Sequence, residues 1–198
     1  MKSVLISIQP KWCELIANEK KTVEVRKTKP KIDTPFKCYI YCTKKFYKKG
    51  DGYFQGKYCG KIIGEFVCNK IQNLFSNSQF WINEDIVNRT CLNNYEIRKY
   101  ANGADKIYGW HISDIVIYDK PKELGEFYIE CKSEINYKGD WFNYKPLTRP
   151  PQSWCYVTEV NANFMLFEST LDLISRQREE IASLKQIIDE KLPQGEQK

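Results

Sequence analysis

The chain opens on a short, loosely alternating apolar run. Residues 2–8, K-S-V-L-I-S-I, are rich in β-branched side chains and predict a strand. Pro10 suits the first turn of a following helix, whose Trp12, Leu15 and Ile16 share one face and which ends near Asn18. From Thr22 to Lys27 the period returns to two. T-V-E-V-R-K sets Val23 and Val25 on one face of a strand and Thr22, Glu24 and Arg26 on the other, with Lys21 at its mouth. Further strands are expected at 36–43, 61–71, 109–117 and 153–160. Residues 84–100 read as a helix or helix pair stopped by Ala101-Asn102-Gly103. Unequal loops and few helical segments argue against regular β-α-β layering. The expected class is α+β, mainly β: a small β-barrel with flanking helices.

After Val160 the texture changes. Leu171, Ile174, Ile181, Leu184 and Ile188 recur at helical spacing before Pro193 and predict a C-terminal amphipathic helix. Two units are therefore expected, a domain over 1–160 and a helical tail over 161–198. Arg178 and Lys185 interrupt the heptads, so residues 166–192 suit a homodimer, a partner protein or docking on the chain's own body. The last six residues are expected to be disordered.

Composition sharpens this picture. Of the 198 residues 42% are hydrophobic, enough for one core. Residues 161–198 hold five Lys/Arg against seven Asp/Glu, so the first 160 carry 26 against 18, a net +8. Such a basic body suits a polyanion such as nucleic acid, or is simply a solvated surface. No apolar run approaches the roughly 20 residues of a membrane span, and no membrane partner is expected. The eight cysteines form no C-x-x-C pair, only one histidine accompanies them, and no secretory signal precedes them. Free thiols in a reducing cytosol, hence a cytoplasmic protein, fit best. Cys38 and Cys42, at i and i+4 of a strand, stand about 13 Å apart and cannot chelate one ion as a strand pair. Neither metal nor cofactor is expected.

Two stretches carry candidate chemistry. In 19–27, E-K-K-T-V-E-V-R-K, a carboxylate between two cations could accept from a base amino group while Arg26 or Lys21 meets an anion. An ordinary rim ion pair is the alternative. Residues 44–61 interleave six lysines with Phe46, Tyr47, Tyr53, Phe54 and Tyr58, a composition suited to phosphates and stacked bases, or to a solubilising loop. Lys44 and Lys45 are its leading candidates. Trp110, Trp141 and Trp154 could wall a flipped base or fill the core. His111 reads as an ordinary hydrogen-bonded histidine, Glu65 as a cleft acid or an outward one, and Ser153 as a cleft hydroxyl or a strand start.

S-I-Q-P-K-W-C-E-L-I-A-N-E-K-K-T-V-E-V-R-K resembles the N-terminal motif of ASCH domains, within the PUA-like superfamily, in which a strand and helix lead into G-x-K-x-x-E-x-R. Lys21, Glu24 and Arg26 match the signature, and Glu19 stands where the family has glycine. G-K-I-I-G-E-F at 60–66, Y-G-W-H-I-S-D at 108–114 and P-P-Q-S-W-C-Y-V at 150–157 are similar to the bacterial and phage-borne subgroup, so the resemblance spans residues 2–160. It implies a five- or six-stranded barrel with a cleft that binds RNA or a modified nucleotide. Some relatives are acetylcytidine amidohydrolases with K-T-x-T-x-R, the second threonine acting as nucleophile. Here Glu24 replaces that threonine, while Thr22 is kept. Others are reported as ribonucleases.

The favoured reading is an RNA- or modified-nucleotide-binding module. Its cleft would be formed by segments 21–26, 108–111 and 150–154, with ligand contacts from Lys21, Thr22, Glu24, Arg26, Lys44, Lys45, Trp110, Ser153 and Trp154. The alternatives are an enzyme of the same fold using Lys21 and Glu24, either a ribonuclease or a modified-nucleoside hydrolase, and an adaptor acting through the C-terminal helix.

Overall fold

The computed structural model describes residues 2–44, 47–49, 52–54, 58–75, 82–132, 142–159, 174–175 and 177–187. It divides into two compact units, Met1–Glu159 and Val160–Lys198. The first is α+β and mostly strand. Its elements are β1 (Ser3–Ile8), α1 (Pro10–Ala17), β2 (Val23–Arg26), β3 (Phe36–Cys42), β4 (Tyr47–Lys49), β5 (Gly52–Phe54), β6 (Ile62–Asn73), α2 (Glu84–Thr90), α3 (Asn94–Ala101), β7 (Tyr108–Lys122), a short 3-10 turn (Leu124–Glu126), β8 (Phe127–Lys132), β9 (Phe142–Pro146) and β10 (Trp154–Glu159). β4 and β5 form a separate hairpin inside the lysine-rich stretch, and β8 and β9 are strands that the periodicity does not predict.

The remaining eight strands form one sheet in the order β2-β7-β6-β3-β1-β10-β8-β9, with β1 parallel to β3 and the other pairs antiparallel. The expected closed barrel needs correction: the sheet runs between two edges, β2 and β9, rather than closing on itself by backbone pairing. It nevertheless curls hard. β6 shifts register against β7 at Ile62/Gly64, Glu65/Val67 and Cys68/Lys70, and each bulge bends the strand and increases its twist. Gly64 permits the tightest approach, since a Cβ there would stand 2.3 Å from the Val116 oxygen. The curl carries β2 round to face β1, where Arg26 reaches the Ser7 carbonyl.

The central strands β1 and β3 are buried on both faces, which is why their sequences run apolar with little alternation. Val4, Ile6, Ile8, Cys38 and Ile40 pack on Phe66, Trp110 and the Cys13–Ile16 side of α1, while Leu5, Tyr39 and Tyr41 pack on Phe127, Leu147 and Val157. A third cluster, Val25, Leu74, Ile82, Ile86, Ile97, Ala101 and Ile107, seats α2 and α3 beside β2. Both helices start as their sequences dictate. The Asn83 side chain accepts from the Asp85 N–H, and Asn93 forms a reciprocal capping box with Glu96. α3 ends on a left-handed Asn102, as Ala101-Asn102-Gly103 predicts.

In the second unit residues 174–175 and 177–187 are helical, with Ile181 and Leu184 exposed, whereas Leu171, Ile188 and Pro193 lie outside the described residues. Among the described residues no helix is long and apolar enough to cross a membrane.

Candidate functional site

The site begins in the turn between α1 and β2. Glu19 sits at φ 56, in the left-handed region that favours glycine, and the Lys20 and Lys21 N–H groups both donate back to the Leu15 carbonyl. That tight return points Lys21 inward, where it is only 2% exposed. Its Nζ donates to the Val23 carbonyl at 3.0 Å and to the Thr90 carbonyl, at the end of α2, at 2.6 Å. It also lies 3.4 Å from Glu24 Oε2 and 5.2 Å from the centre of the Trp12 ring.

All four residues of β2 are buried. Glu24 is clamped from both sides, its Oε1 standing 3.0 Å from Arg26 Nη2. The same Nη2 donates to the Ser7 carbonyl at 2.6 Å, and Nη1 makes a long contact of 3.5 Å to Ser153 Oγ. Arg26 Nε is buried and has no hydrogen-bond partner among the described residues. Two cations thus flank one carboxylate out of water. Such an excess of positive charge is costly unless an anion or an acceptor-rich group completes it.

The trio opens on a cavity of about 360 Å³ whose walls include Ser7, Gln9, Trp12, Thr43, Leu92, Glu96, Tyr100, Gln152 and Ser153. That volume falls within the range of small-ligand pockets. Its walls come from β1, α1, β2, the end of β3, α3 and the segment before β10. Glu96 is held at the rim by accepting from the Asn93 N–H, and Tyr100 carries the Lys27 ammonium 5.5 Å above its ring. Burial, with Glu24 nearby, pushes the Tyr100 phenol up against the opposing pull of Arg26. It therefore stays protonated at neutral pH and can donate a hydrogen bond into the cavity.

No family model matches the sequence, and no curated protein does. The crystal structure of ASCH from Zymomonas mobilis does align, at TM-score 0.52 and 21% identity, over 87% of this chain and 94% of that one. This chain has an ASCH-domain fold. A serine-to-alanine variant and a tyrosine-to-phenylalanine variant of the same Zymomonas mobilis protein cover 85% and 88% of the chain, both at TM-score 0.49; the assignment rests on the first structure alone.

On this ASCH fold Lys21, Glu24, Arg26 and Ser153 meet at one cavity. Thr22 does not join them. The strand begins only at Val23, so the alternation does not extend back to Thr22, whose Oγ1 accepts from Arg89 Nε at 3.1 Å and which lines a different cavity with Glu19 and Asp114. Trp110 is no wall: it is 0% exposed, edge-on to Phe36 and tilted on Trp154, so the 108–111 segment backs the site rather than lining it. Trp154 donates through Nε1 to Thr28 Oγ1 at 2.9 Å, pinning the chain after β2. Lys44 is exposed beside Gly60 and does not line the cavity, while Lys45 and Trp141 lie outside the described residues. His111 pairs with Gln72 at 3.2 Å, and Glu65 faces Lys37 and Tyr118.

Several wall residues are not evident from the sequence pattern. Periodicity sets Trp12 on the apolar face of α1, but Cys13 and Ile16 take the core and Trp12 is left half-buried at the cavity. Lys27 and Lys29 follow Arg26 at alternate positions and sit over Tyr100 and Tyr108, and the Lys31 N–H donates to the Tyr156 hydroxyl at 2.6 Å. The K-T-K-P-K run directly after the signature is the signal for this basic, aromatic rim.

Proposed function

We propose that this chain is an RNA- or modified-nucleotide-binding module that takes its ligand in the cavity beside Lys21, Glu24 and Arg26. The carrying observation is the buried trio with its excess positive charge and its unpartnered Arg26 Nε. A phosphate or a base carbonyl satisfies that donor, while the carboxylate accepts from an exocyclic amino group. Trp12, at the cavity wall, offers a ring for stacking. PUA-like proteins of this architecture bind RNA in general, which supports the ligand class. The bonding of Lys21 to two backbone carbonyls suits a fixed positioning group better than a nucleophile.

The test uses labelled single-stranded RNA with and without divalent metal, so that binding and cleavage are read together. Trp12→Ala removes a wall and keeps both ion pairs, although it also removes a ring that lies beside the Lys21 ammonium and packs on the core. It should weaken binding about 5- to 150-fold, the range for losing one stacked base, measured at a temperature where the variant is folded. RNA cleavage that disappears in Lys21→Ala and Glu24→Gln, measured where both variants are folded, would replace the binding reading with the enzymatic one.

A further inference from the structure

Three cysteines far apart in sequence meet at the end of β3. Cys42 is the last residue of that strand, Cys13 lies on α1, and Cys59 lies in the turn before β6. The Cys42 N–H donates to the Lys61 carbonyl at 2.9 Å and the Gly60 N–H to the Cys42 carbonyl at 2.7 Å, so the backbone holds the 59–61 turn alongside Cys42. The Sγ atoms of Cys42 and Cys59 are 3.7 Å apart. Cys13 Sγ donates to the Ile8 carbonyl at 3.6 Å and is packed in the core. A separate cavity of about 260 Å³, lined by Cys13, Cys42, Tyr58, Tyr118 and Pro121, reaches Cys42, which is otherwise buried.

The thiols are not equivalent. Hydrogen bonding with Cys13 pulls the Cys42 thiol below its ordinary value of 9.0, against the upward push of burial, and Cys59 adds to the pull. The same pairing, followed by burial, pushes Cys13 well above that value. Burial likewise holds Cys68 up at about 12 and Cys38 well up. Of the two sulfurs that line this cavity, Cys13 and Cys42, thiolate character is thus concentrated on Cys42, which also has Cys59 beside it.

We propose that Cys42 and Cys59 form a thiol–disulfide exchange site that accepts small-molecule disulfides. Cys42 thiolate attacks one sulfur of the reagent, breaking its S–S bond, forming a mixed disulfide and releasing the first thiolate, which takes up the proton lost from Cys42. Cys59, deprotonated in turn, attacks the Cys42 sulfur and expels the second reagent thiol, which takes up the Cys59 proton. Two protein thiols are oxidised and one reagent disulfide is reduced to two thiols. A disulfide needs its sulfurs about 2.05 Å apart, so the pair must close by under 2 Å, a movement that side-chain rotation and a small shift of the turn can supply.

The test exposes the full chain to oxidised glutathione, alkylates the remaining thiols and maps the peptides by mass spectrometry. The expected product is a Cys42–Cys59 crosslink reversed by dithiothreitol, with Cys38 and Cys68 reacting about tenfold or more slowly than Cys42. Cys59→Ser should stop the reaction at a glutathione adduct on Cys42, and Cys42→Ser should abolish the crosslink. A dominant Cys13–Cys42 crosslink, an adduct found only on Cys59, or a Cys42 no faster than Cys38 would each overturn the proposal. Should a variant fail to fold, the wild-type crosslink and relative rates still decide it.

Discussion

Arg26 on β2 donates through Nη2 to the carbonyl of Ser7 on β1, 2.6 Å away, although β7, β6 and β3 separate those two strands in the sheet. A side chain thus joins what backbone pairing leaves open, and the same atom holds Glu24. Arg26→Met should cost about 3 kcal/mol in urea unfolding, the low end for breaking a buried ion pair, because Glu24 keeps Lys21 as a partner. Glu24→Gln should destabilise as well, since it leaves two buried cations facing each other. In the double variant the two losses should overlap by about 1–3 kcal/mol, and strict additivity would show that the pair does not act as a unit.

Glu19 occupies a left-handed conformation at φ 56, at the position where the signature resembled by this chain carries glycine. Glu19→Gly should raise stability by about 0.5–1 kcal/mol, because relief of the Cβ clash outweighs the added freedom of the unfolded chain. A melting temperature that falls instead would mean that the Glu19 side chain makes a compensating interaction.

His111, the only histidine, is buried beside Arg89 and Lys70. Burial first, and then those two cations, lower its pKa from the ordinary 6.5, with Asp85 opposing weakly. A depressed folded value means that the unfolded chain binds the proton more tightly. The contribution to stability is therefore complete above 6.5 and is lost as pH falls through 6.5 towards the folded value. Melting temperature should drop between pH 7.5 and 5.5, and the drop should shrink in His111→Gln. An identical pH dependence in both proteins would assign the effect to other groups.

Lys44 and Lys61, the lysines of the 44–61 stretch whose side chains are described, do not line the cavity beside the trio, so the part proposed for this stretch in binding is electrostatic. Replacing Lys44, Lys45, Lys48 and Lys49 by alanine should reduce the salt dependence of RNA affinity by about 0.7 in logarithmic slope for each phosphate that these lysines neutralise. The contribution of Trp12 should persist in that background. An unchanged slope would remove this stretch from the binding surface.

Much of the architecture is local chemistry and could be read from the chain. Pro10 starts α1, asparagines cap α2 and α3, and the alternation of β2 puts Glu24 and Arg26 on one side, because each of these depends on neighbours only a few residues away. Even the left-handed turn at Glu19 is marked by the glycine expected there. The sheet's open edge is not legible, since barrel and curled sheet share the same alternation and differ only in whether the last strands pair.

The site itself depends on contacts that span the chain. Lys21 donates to a carbonyl at Thr90, Arg26 to one at Ser7, and α3 supplies a wall from more than 60 residues beyond β2. Trp110 and Trp154 look alike in sequence, because a tryptophan has both the area for a core and the ring for a ligand. Only the packing of Phe36 against Trp110, and the hydrogen bond from Trp154 to Thr28, give each its place. Cys42 likewise reads as one more small apolar residue until the 59–61 turn lays a second sulfur beside it. Periodicity reports which way a side chain points from its own element. What it meets there depends on long-range closure of the sheet, which no local pattern encodes.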